Sequence, residues 1–451
     1  MSVVAGATPA GVEQAAARTA GALRALEVDP GDLGVKAWQL HLEDREKLVV
    51  GARDRSVGGV YAPPVVRREL AGDVWVQWRD GRVSSANVAS PFLRDPAANL
   101  RRLRARAYAE RFPADLPEDR PLPAVQIHDP GLARVAAGDP GAALDLLHDL
   151  APRLPSVTTS YQAEVSVTCV ARRLLNSKGL DRGAEATLAS FWVEADGLFS
   201  SGISRRDLAA LADARPRVDH VEAWLPYFRA PGMDAGSGAR SGPRTVVLLP
   251  GPAQAFFGHF LLGNLEGEAV ANGQSAWRQD DFAGRRQVFA GDLSIDYDPL
   301  EDWRSWSYRV DRRGLPAERC AFVREGRLVS PVVSLKAAKQ LSCLPSPAPP
   351  STGLRVVAGR SADLEAHIAS LDDAILVHEV LGMHTQDKAR GAYSLSVPRA
   401  LVVRGGKVVG AAKAVISGNF LEALRGDAVS LTSPLHDGGG LALQGQVVFP
   451  G

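Results

Sequence analysis

The stretch Leu376-Val377-His378-Glu379-Val380-Leu381-Gly382-Met383-His384 gathers the groups in this sequence best suited to chemistry. An imidazole can hold a zinc ion, and a neighbouring carboxylate can take a proton from the water that the metal acidifies. On a helix, two ligand histidines belong four positions apart, because four steps of ~100° return to nearly the same face. His384 follows His378 by six positions, about 240° around an ideal helix. Gly382 can also end or distort such a helix before His384. A catalytic zinc takes three protein ligands and a water, yet beyond His384 the chain has one further histidine, His436, and no cysteine. The residues alone leave three readings open. His378 and His384 can flank a short helix that packs through Val380 and Leu381; His378 and Glu379 can work as an acid–base pair without metal; or His384 and His436 can complete an unusual zinc site.

Other chemistries lack their motifs. No G-x-x-x-x-G-K-[ST] loop and no strand-linked G-x-G-x-x-G is present, so nothing cradles a nucleotide's phosphates in the usual way. Gly438-Gly439-Gly440 reads as a turn. The G-x-S-x-G elbow is missing, and Ser275 in Gly273-Gln274-Ser275-Ala276-Trp277 reads as a loop serine. Lys and Arg total 52 against 51 Asp and Glu, a formal net charge of +1, which excludes a broad nucleic-acid footprint. The stripe Arg101, Arg102, Arg104 and Arg106 reads as a solvated helix face. Cys169, Cys320 and Cys343 are scattered and form no C-x-x-C box, so the expectation is a reducing compartment. No stretch reaches 18 apolar residues, and Ala253 to Leu262 is short and interrupted by His259. The first 20 residues lack a signal-peptide pattern. A soluble, cytoplasmic protein without membrane or nucleic-acid partners is expected.

The elements that would position these groups follow from periodicity. With 451 residues, 45% hydrophobic and 23% charged, the chain can form two or three globular domains. Thr8 and Pro9 suit the start of a helix carrying Val12, Ala16, Thr19, Leu23 and Leu26 on one face. Strands are expected over Gly34 to Leu42 and Val74 to Trp78, followed by the turn Asp80-Gly81-Arg82 and a helix from Asp95-Pro96. Phe112 to Pro123 is proline-rich and reads as a linker. Next come a helix over Ala142 to Leu150 and a hairpin of Ala163 to Val170 with Ala186 to Ala195, turned by Asn176-Ser177-Lys178-Gly179. Ala235 to Gly242 reads as a flexible loop, Thr245 to Leu249 as a buried strand, and Pro252 as the start of an aromatic-rich helix. Gly405-Gly406 turns a late hairpin, and Pro345 to Pro350 interrupts the strand-rich remainder. No short fixed-period repeat appears. The expectation is α+β: an N-terminal domain (1–112) of helices over a sheet, a middle antiparallel domain (123–234), and a large strand-rich C-terminal domain (243–451).

His378 to Thr385, then Arg390-Gly391-Ala392-Tyr393-Ser394, then Ser417-Gly418-Asn419-Phe420-Leu421, resembles the TldD/PmbA (TldE) family, also known as modulators of DNA gyrase. There a Leu-Gly, Gly-Asp-Phe-Ser, Gly-Asn-Leu series marks the C-terminal domain. Asp80 to Ala86, Asn176 to Gly179, Ala271 to Ser275, and Asp311 to Pro316 before Val323 to Leu328 follow in the same order, so the resemblance spans nearly the whole chain. Ala392 replaces the acidic residue of the series, and Ser351-Thr352-Gly353 is what remains of a Ser-Thr-Gly signature.

The resemblance implies one of two branches. TldD-type subunits hold zinc through an H-E-x-x-x-H helix and a late cysteine, with the glutamate as base; TldE-type subunits lack the ligands and pair with TldD. Laid on that motif, His378 and Glu379 match its first two positions, Met383 stands where the second histidine belongs, and the cysteine has no counterpart. A thioether is a poor substitute for imidazole on zinc. The implied protein is a TldE-like, non-catalytic subunit with no cofactor of its own, zinc on a TldD-like partner, and an extended peptide as substrate, in housekeeping or in maturation of a modified peptide. An unpaired strand edge in the strand-rich half would take that peptide by main-chain hydrogen bonds. The alternative is a metal-free homodimeric peptide-binding or scaffold protein. The charge balance gives no support to a role at DNA.

Overall fold

Trp38, Leu40 and Leu42 alternate with Gln39, His41 and Glu43 along an extended chain, and this period of two builds the first sheet. The computed structural model describes residues 9–28, 34–54, 56–59, 62–156, 158–209, 214–232, 241–349, 353–359, 361–426, 430–432 and 439–450. They fall into two compact units, Met1–His220 with Leu300–Ala317, and Val221–Pro299 with Glu318–Gly451.

The first unit is organised by β1 (Val35–Arg53), β2 (Ser56–Val57), β3 (Val65–Trp78), β4 (Arg82–Val88), β5 (Tyr108–Ala109), β6 (Tyr161–Asn176), β7 (Asp181–Ala195) and β8 (Phe199–Arg205). Every pairing is antiparallel, in the order β5-β4-β3-β1-β6-β7-β8, with β2 folded back on the end of β1. The helix Pro9–Glu27 buries Val12, Ala16, Ala20 and Leu23 against Trp38, Leu40, Leu42, Val74 and Trp78. Helices Pro130–Ala136 and Gly141–Leu150 bury Leu132, Val135, Leu146 and Leu147 over the other end of the sheet.

Two expectations need correction here. The segments expected as separate N-terminal and middle domains share one sheet, because β1 pairs with β6 from Gln39↔Asn176 to Arg53↔Gln162. The expected strand Gly34 to Leu42 also continues to Arg53, through Glu43-Asp44-Arg45-Glu46-Lys47. The charges are tolerated because they pair. His41, 2% exposed, has Nδ1 3.2 Å from Asp73 Oδ2 and Nε2 3.4 Å from Glu43 Oε1. Arg172 Nε lies 2.9 Å and Arg45 3.2 Å from the Glu43 carboxylate. Burial disfavours a charged His41, but the Asp73 and Glu43 carboxylates outweigh it and hold its pKa above the ordinary value. Burial also penalises ionised Glu43, yet His41 and Arg172 hold its carboxyl down at about 2. Arg104 of the arginine stripe bonds Asp80 at 2.6 Å and lies over Trp78, a structural role.

The second unit contains β9 (Gly242–Leu248), β10 (Ser294–Tyr297), β11 (Cys320–Arg324), β12 (Arg327–Leu328), β13 (Leu354–Val357), β14 (Asp373–Val377), β15 (Ala392–Arg404), β16 (Lys407–Asn419), β17 (Ser430–Thr432) and β18 (Gly440–Val448). The order β16-β15-β14-β9-β18 closes through a β16–β18 pairing into a five-stranded barrel, parallel only between β9 and β14. Closure removes the free edges of these five strands; of the short outer strands, β12 is bridged by Gln287 and β17 by Ser361, and β13 has no pairing on its outer side among the described residues. Gly405 and Gly406, both at positive φ, turn β15 into β16 as expected. The expected loop over Ala235 to Gly242 lies almost wholly outside the described residues, as do Thr8, His436, Gly438, Pro350, Ser351 and Thr352. No described helix is long and apolar enough to cross a membrane.

Candidate functional site

The candidate segment leaves the barrel at the end of β14. Ala374, Ile375, Leu376 and Val377 are all buried, so the strand is held to its last residue. Leu249 N then donates to Val377 O at 2.9 Å. No helix follows. His378 to Gly382 is irregular, Leu381 N donates to Ser396 O on β15, and Gly382 at φ 92° takes a left-handed conformation that L side chains disfavour. Met383–Thr385 is a single 3-10 turn. The helix implied for His378, Glu379 and Met383, and equally the short helix packing through Val380 and Leu381, therefore does not form. The reason is local: extended pairing with β15 resumes at Leu381, and Gly382 breaks any right-handed turn.

The side chains diverge accordingly. His378 is half-buried, its ring edge-on to Phe228 at 5.4 Å. Glu379 and His384 are exposed, and Met383 sits beyond the left-handed glycine. Among the described residues no three His, Cys, Asp or Glu side chains converge as a metal-holding group. The set His378, Glu379 and Met383 does not fit a zinc ion, which needs convergent imidazole, thiolate or carboxylate donors.

What the structure brings together instead is a braced loop, 378–391, against the helix that begins at Pro250. Residues Phe257–Leu262 of that helix form a π-turn, a local widening frequent at functional sites. His259, on this turn, has Nε2 3.2 Å from Gln386 O. Gln386 Nε2 donates to Gly382 O at 2.8 Å, while its Oε1 accepts from Ser394 N at 2.8 Å. Fully buried Asn264 donates to Phe260 O at 2.8 Å and Lys388 O at 2.6 Å, and accepts from Ala276 N at 2.6 Å. Ser275 Oγ donates to Asn264 O and accepts from Trp277 N, so this serine is structural.

The motif segments meet in register. Ala392, Tyr393 and Ser394 on β15 face Asn419, Gly418 and Ser417 on β16. Asn419 Nδ2 donates to Arg390 O, and Phe420 N donates to Gly391 O, both at 2.8 Å. Gly391, at φ 72°, has no room for a Cβ, which would lie 2.7 Å from Leu421 Cγ. Tyr393 packs edge-on to Phe256 at 5.0 Å, and Phe256 to Phe420 at 5.4 Å. Burial pushes the Tyr393 phenol well above its ordinary pKa, so it stays protonated. Periodicity gave no hint of His259, Asn264 or Gln386; a polar residue within the apolar run Ala253 to Leu265 was the available signal.

A closed five-stranded barrel, carrying a π-turned helix against a braced glycine loop, defines the class. The comparisons agree. The structure matches TldE from Thermococcus kodakarensis with a TM-score of 0.72 at 15% identity, covering 96% of this chain and 100% of that one. Candidate modulators of DNA gyrase from Thermotoga maritima (TM-score 0.69, 15% identity, 97% and 100% covered) and Bacteroides thetaiotaomicron (0.68, 15%, 96% and 98%) share the fold. Residues 241–450 match the family model described as PmbA/TldA metallopeptidase C-terminal domain. No curated protein matches the sequence at a significant level. The chain is a member of the TldD/PmbA family.

Proposed function

We propose that this chain is a TldE-like, non-catalytic subunit that completes the peptide-binding chamber of a zinc peptidase assembled with a TldD-like partner. The complex would act in the cytoplasm, cleaving or trimming extended peptides, including a modified peptide during its maturation. The observation that carries this reading is the geometry of His378 to His384: a strand end and a left-handed turn, with an exposed Glu379 and, among the described residues, no donors converging on it. The match in fold to TldE of Thermococcus kodakarensis supports the same reading. Zinc and the general base would then belong to the partner, and no chemical step is assigned to residues of this chain. The peptide would add to a short open edge such as β13, whose Val357 is 43% exposed.

The test is peptide cleavage by a TldD-like subunit with and without this chain. Cleavage that requires both supports the proposal. Full cleavage by the partner alone would sink it, and a metal-free homodimer indifferent to the partner would favour a peptide-binding scaffold.

A further inference from the structure

On the helix-covered side of the large sheet, Leu42 packs under the helix Pro9–Glu27, and Leu48 and Val50 are buried farther along, where helices Pro130–Ala136 and Gly141–Leu150 contact β1 and β6. Between these two stretches the residues that β1, β6 and β7 present to this side are polar or small. One cross-strand row runs Asp44, Ala171, Glu185, and the next runs Glu46, Cys169, Thr187, with Arg68 of β3 beside Glu46. A cavity of about 690 Å³ opens here, within the size range of small-molecule pockets. Ala171 and Glu185 line it from the sheet, Glu13 from the first helix, and His128 and Arg309 from the flanking segments.

The carboxylates of this stretch outnumber the cations that serve them. Asp44 is 4% exposed, and neither of its carboxylate oxygens has a hydrogen-bond partner among the described residues; Arg68 Nε lies 3.6 Å from Oδ1. That same guanidinium is also held by Glu46. The one ion-pair contact of Glu185 among the described residues is the His128 imidazole at 3.5 Å. Arg173 is occupied by Glu13 and Asp181, at 3.2 and 2.7 Å. A buried carboxylate without a hydrogen bond costs free energy that a bound cation would recover. Burial, then the Glu185, Glu46 and Asp44 carboxylates, push the Cys169 thiol up to about 11, as a negative field over these rows requires. Arg309 is the opposite case: its Nε donates to Val125 O at 2.9 Å, and no carboxylate pairs with it among the described residues.

The geometry points to a binding site for a basic amino acid, its side-chain cation over Ala171 between Asp44 and Glu185 and its carboxylate on Arg309. This site is independent of the peptidase reading. Asp44 and Glu185 stand two strand spacings apart, about 10 Å at the backbone. A cation above the Ala171 methyl is therefore within reach of both carboxylates. With Nε already engaged, the two terminal nitrogens of Arg309 are left to pair with a carboxylate through parallel N–H bonds. An acidic ligand has no matching place, because a second negative charge beside Glu185 and Asp44 is repelled.

Isothermal titration calorimetry of the full chain at low salt tests this, with L-lysine, L-glutamate and pentylamine as probes. Pentylamine keeps the cation and stem of lysine without its carboxylate. L-Lysine should bind at one site per chain with a dissociation constant on the order of 0.1–1 mM, about tenfold tighter than pentylamine, and L-glutamate should not bind. Glu185→Gln, at a side chain 52% exposed and so harmless to folding, should weaken L-lysine and pentylamine alike by about tenfold. Arg309→Gln should weaken L-lysine alone and so erase its advantage over pentylamine, a split that a folding defect cannot produce. Absence of L-lysine binding up to about 10 mM, equal L-lysine affinity in wild type and Glu185→Gln, or an advantage over pentylamine that survives Arg309→Gln each overturns the inference. So does L-glutamate binding as tightly as L-lysine, which would make the cavity an anion site.

Discussion

Tyr393 carries a phenol that is 4% exposed and has no hydrogen-bond partner among the described residues. A Cβ built on Gly418 would lie 2.9 Å from its Oη, and one on Gly445 would lie 3.2 Å away, so two glycines of the barrel wall make room for the hydroxyl. Leaving a buried hydroxyl unpaired costs about 1–3 kcal/mol, so Tyr393→Phe should stabilise the protein by roughly that amount while keeping the ring's contacts with Phe256. For a unit of this size each kcal/mol moves the melting point by roughly 2–4 °C, giving an expected rise of about 2–12 °C. Gly418→Ala presses a methyl onto Oη, Cζ and Cε1 at 2.9, 3.1 and 3.3 Å, and overpacking of this kind costs about 1–3 kcal/mol. Because Oη is the closest of the three, Tyr393→Phe should relieve part of that cost. The double variant should therefore be more stable than the sum of the single changes, by about 0.5–1.5 kcal/mol. Calorimetric melting of the four proteins reads all of these terms. A Tyr393→Phe variant less stable than wild type would show that the hydroxyl is satisfied and that the barrel interior is packed differently.

Other outcomes follow from the same geometry. Asn264→Ala removes three short hydrogen bonds at a fully buried site and should cost about 2–4 kcal/mol, with faster hydrogen exchange in residues 386–391. Glu43→Gln should cost on the order of 2 kcal/mol once screening by solvent near Arg45 is allowed for. Glu43 contributes fully above its ordinary value of 4.5 and loses its contribution as pH falls toward about 2. His41 contributes fully below 6.5 and loses its contribution as pH rises through its elevated value. The cost of Glu43→Gln in urea titrations should therefore peak between these limits and shrink on both sides. Finally, His378→Ala and Glu379→Gln should leave the zinc content of the isolated chain unchanged, measured by elemental analysis after dialysis against the metal.

Apolar alternation and turn chemistry made much of the fold legible. Asn176 shows why: its Oδ1 accepts from Lys178 N and Leu180 N, and Gly179 takes φ 90°, so the turn is written in those residues. The strand expected over Gly34 to Leu42 ends early because Glu43 to Lys47 are all charged and carry no apolar alternation. Only the partners contributed by β3 and β6, distant in sequence, reveal it as the interior strand of a sheet. That same non-local pairing merges two expected domains into one unit. At the site, the order of the glycine motifs was visible and their meeting across β15 and β16 gives it a physical cause. The helical reading of His378 to His384 failed because the pattern of His, Glu and Met does not encode the strand pairing on either side of it. His259 and Asn264 were hidden inside an apolar run, where a polar residue matters only once its carbonyl partners are in place.

The central claim, a helper subunit without its own metal site, is tested most directly by native mass spectrometry of this chain purified with a TldD-like subunit. The account predicts a complex containing both chains, with zinc at one ion per TldD-like subunit and none on this chain when it is isolated. Zinc retained by this chain alone, and lost in His378→Ala, would contradict it.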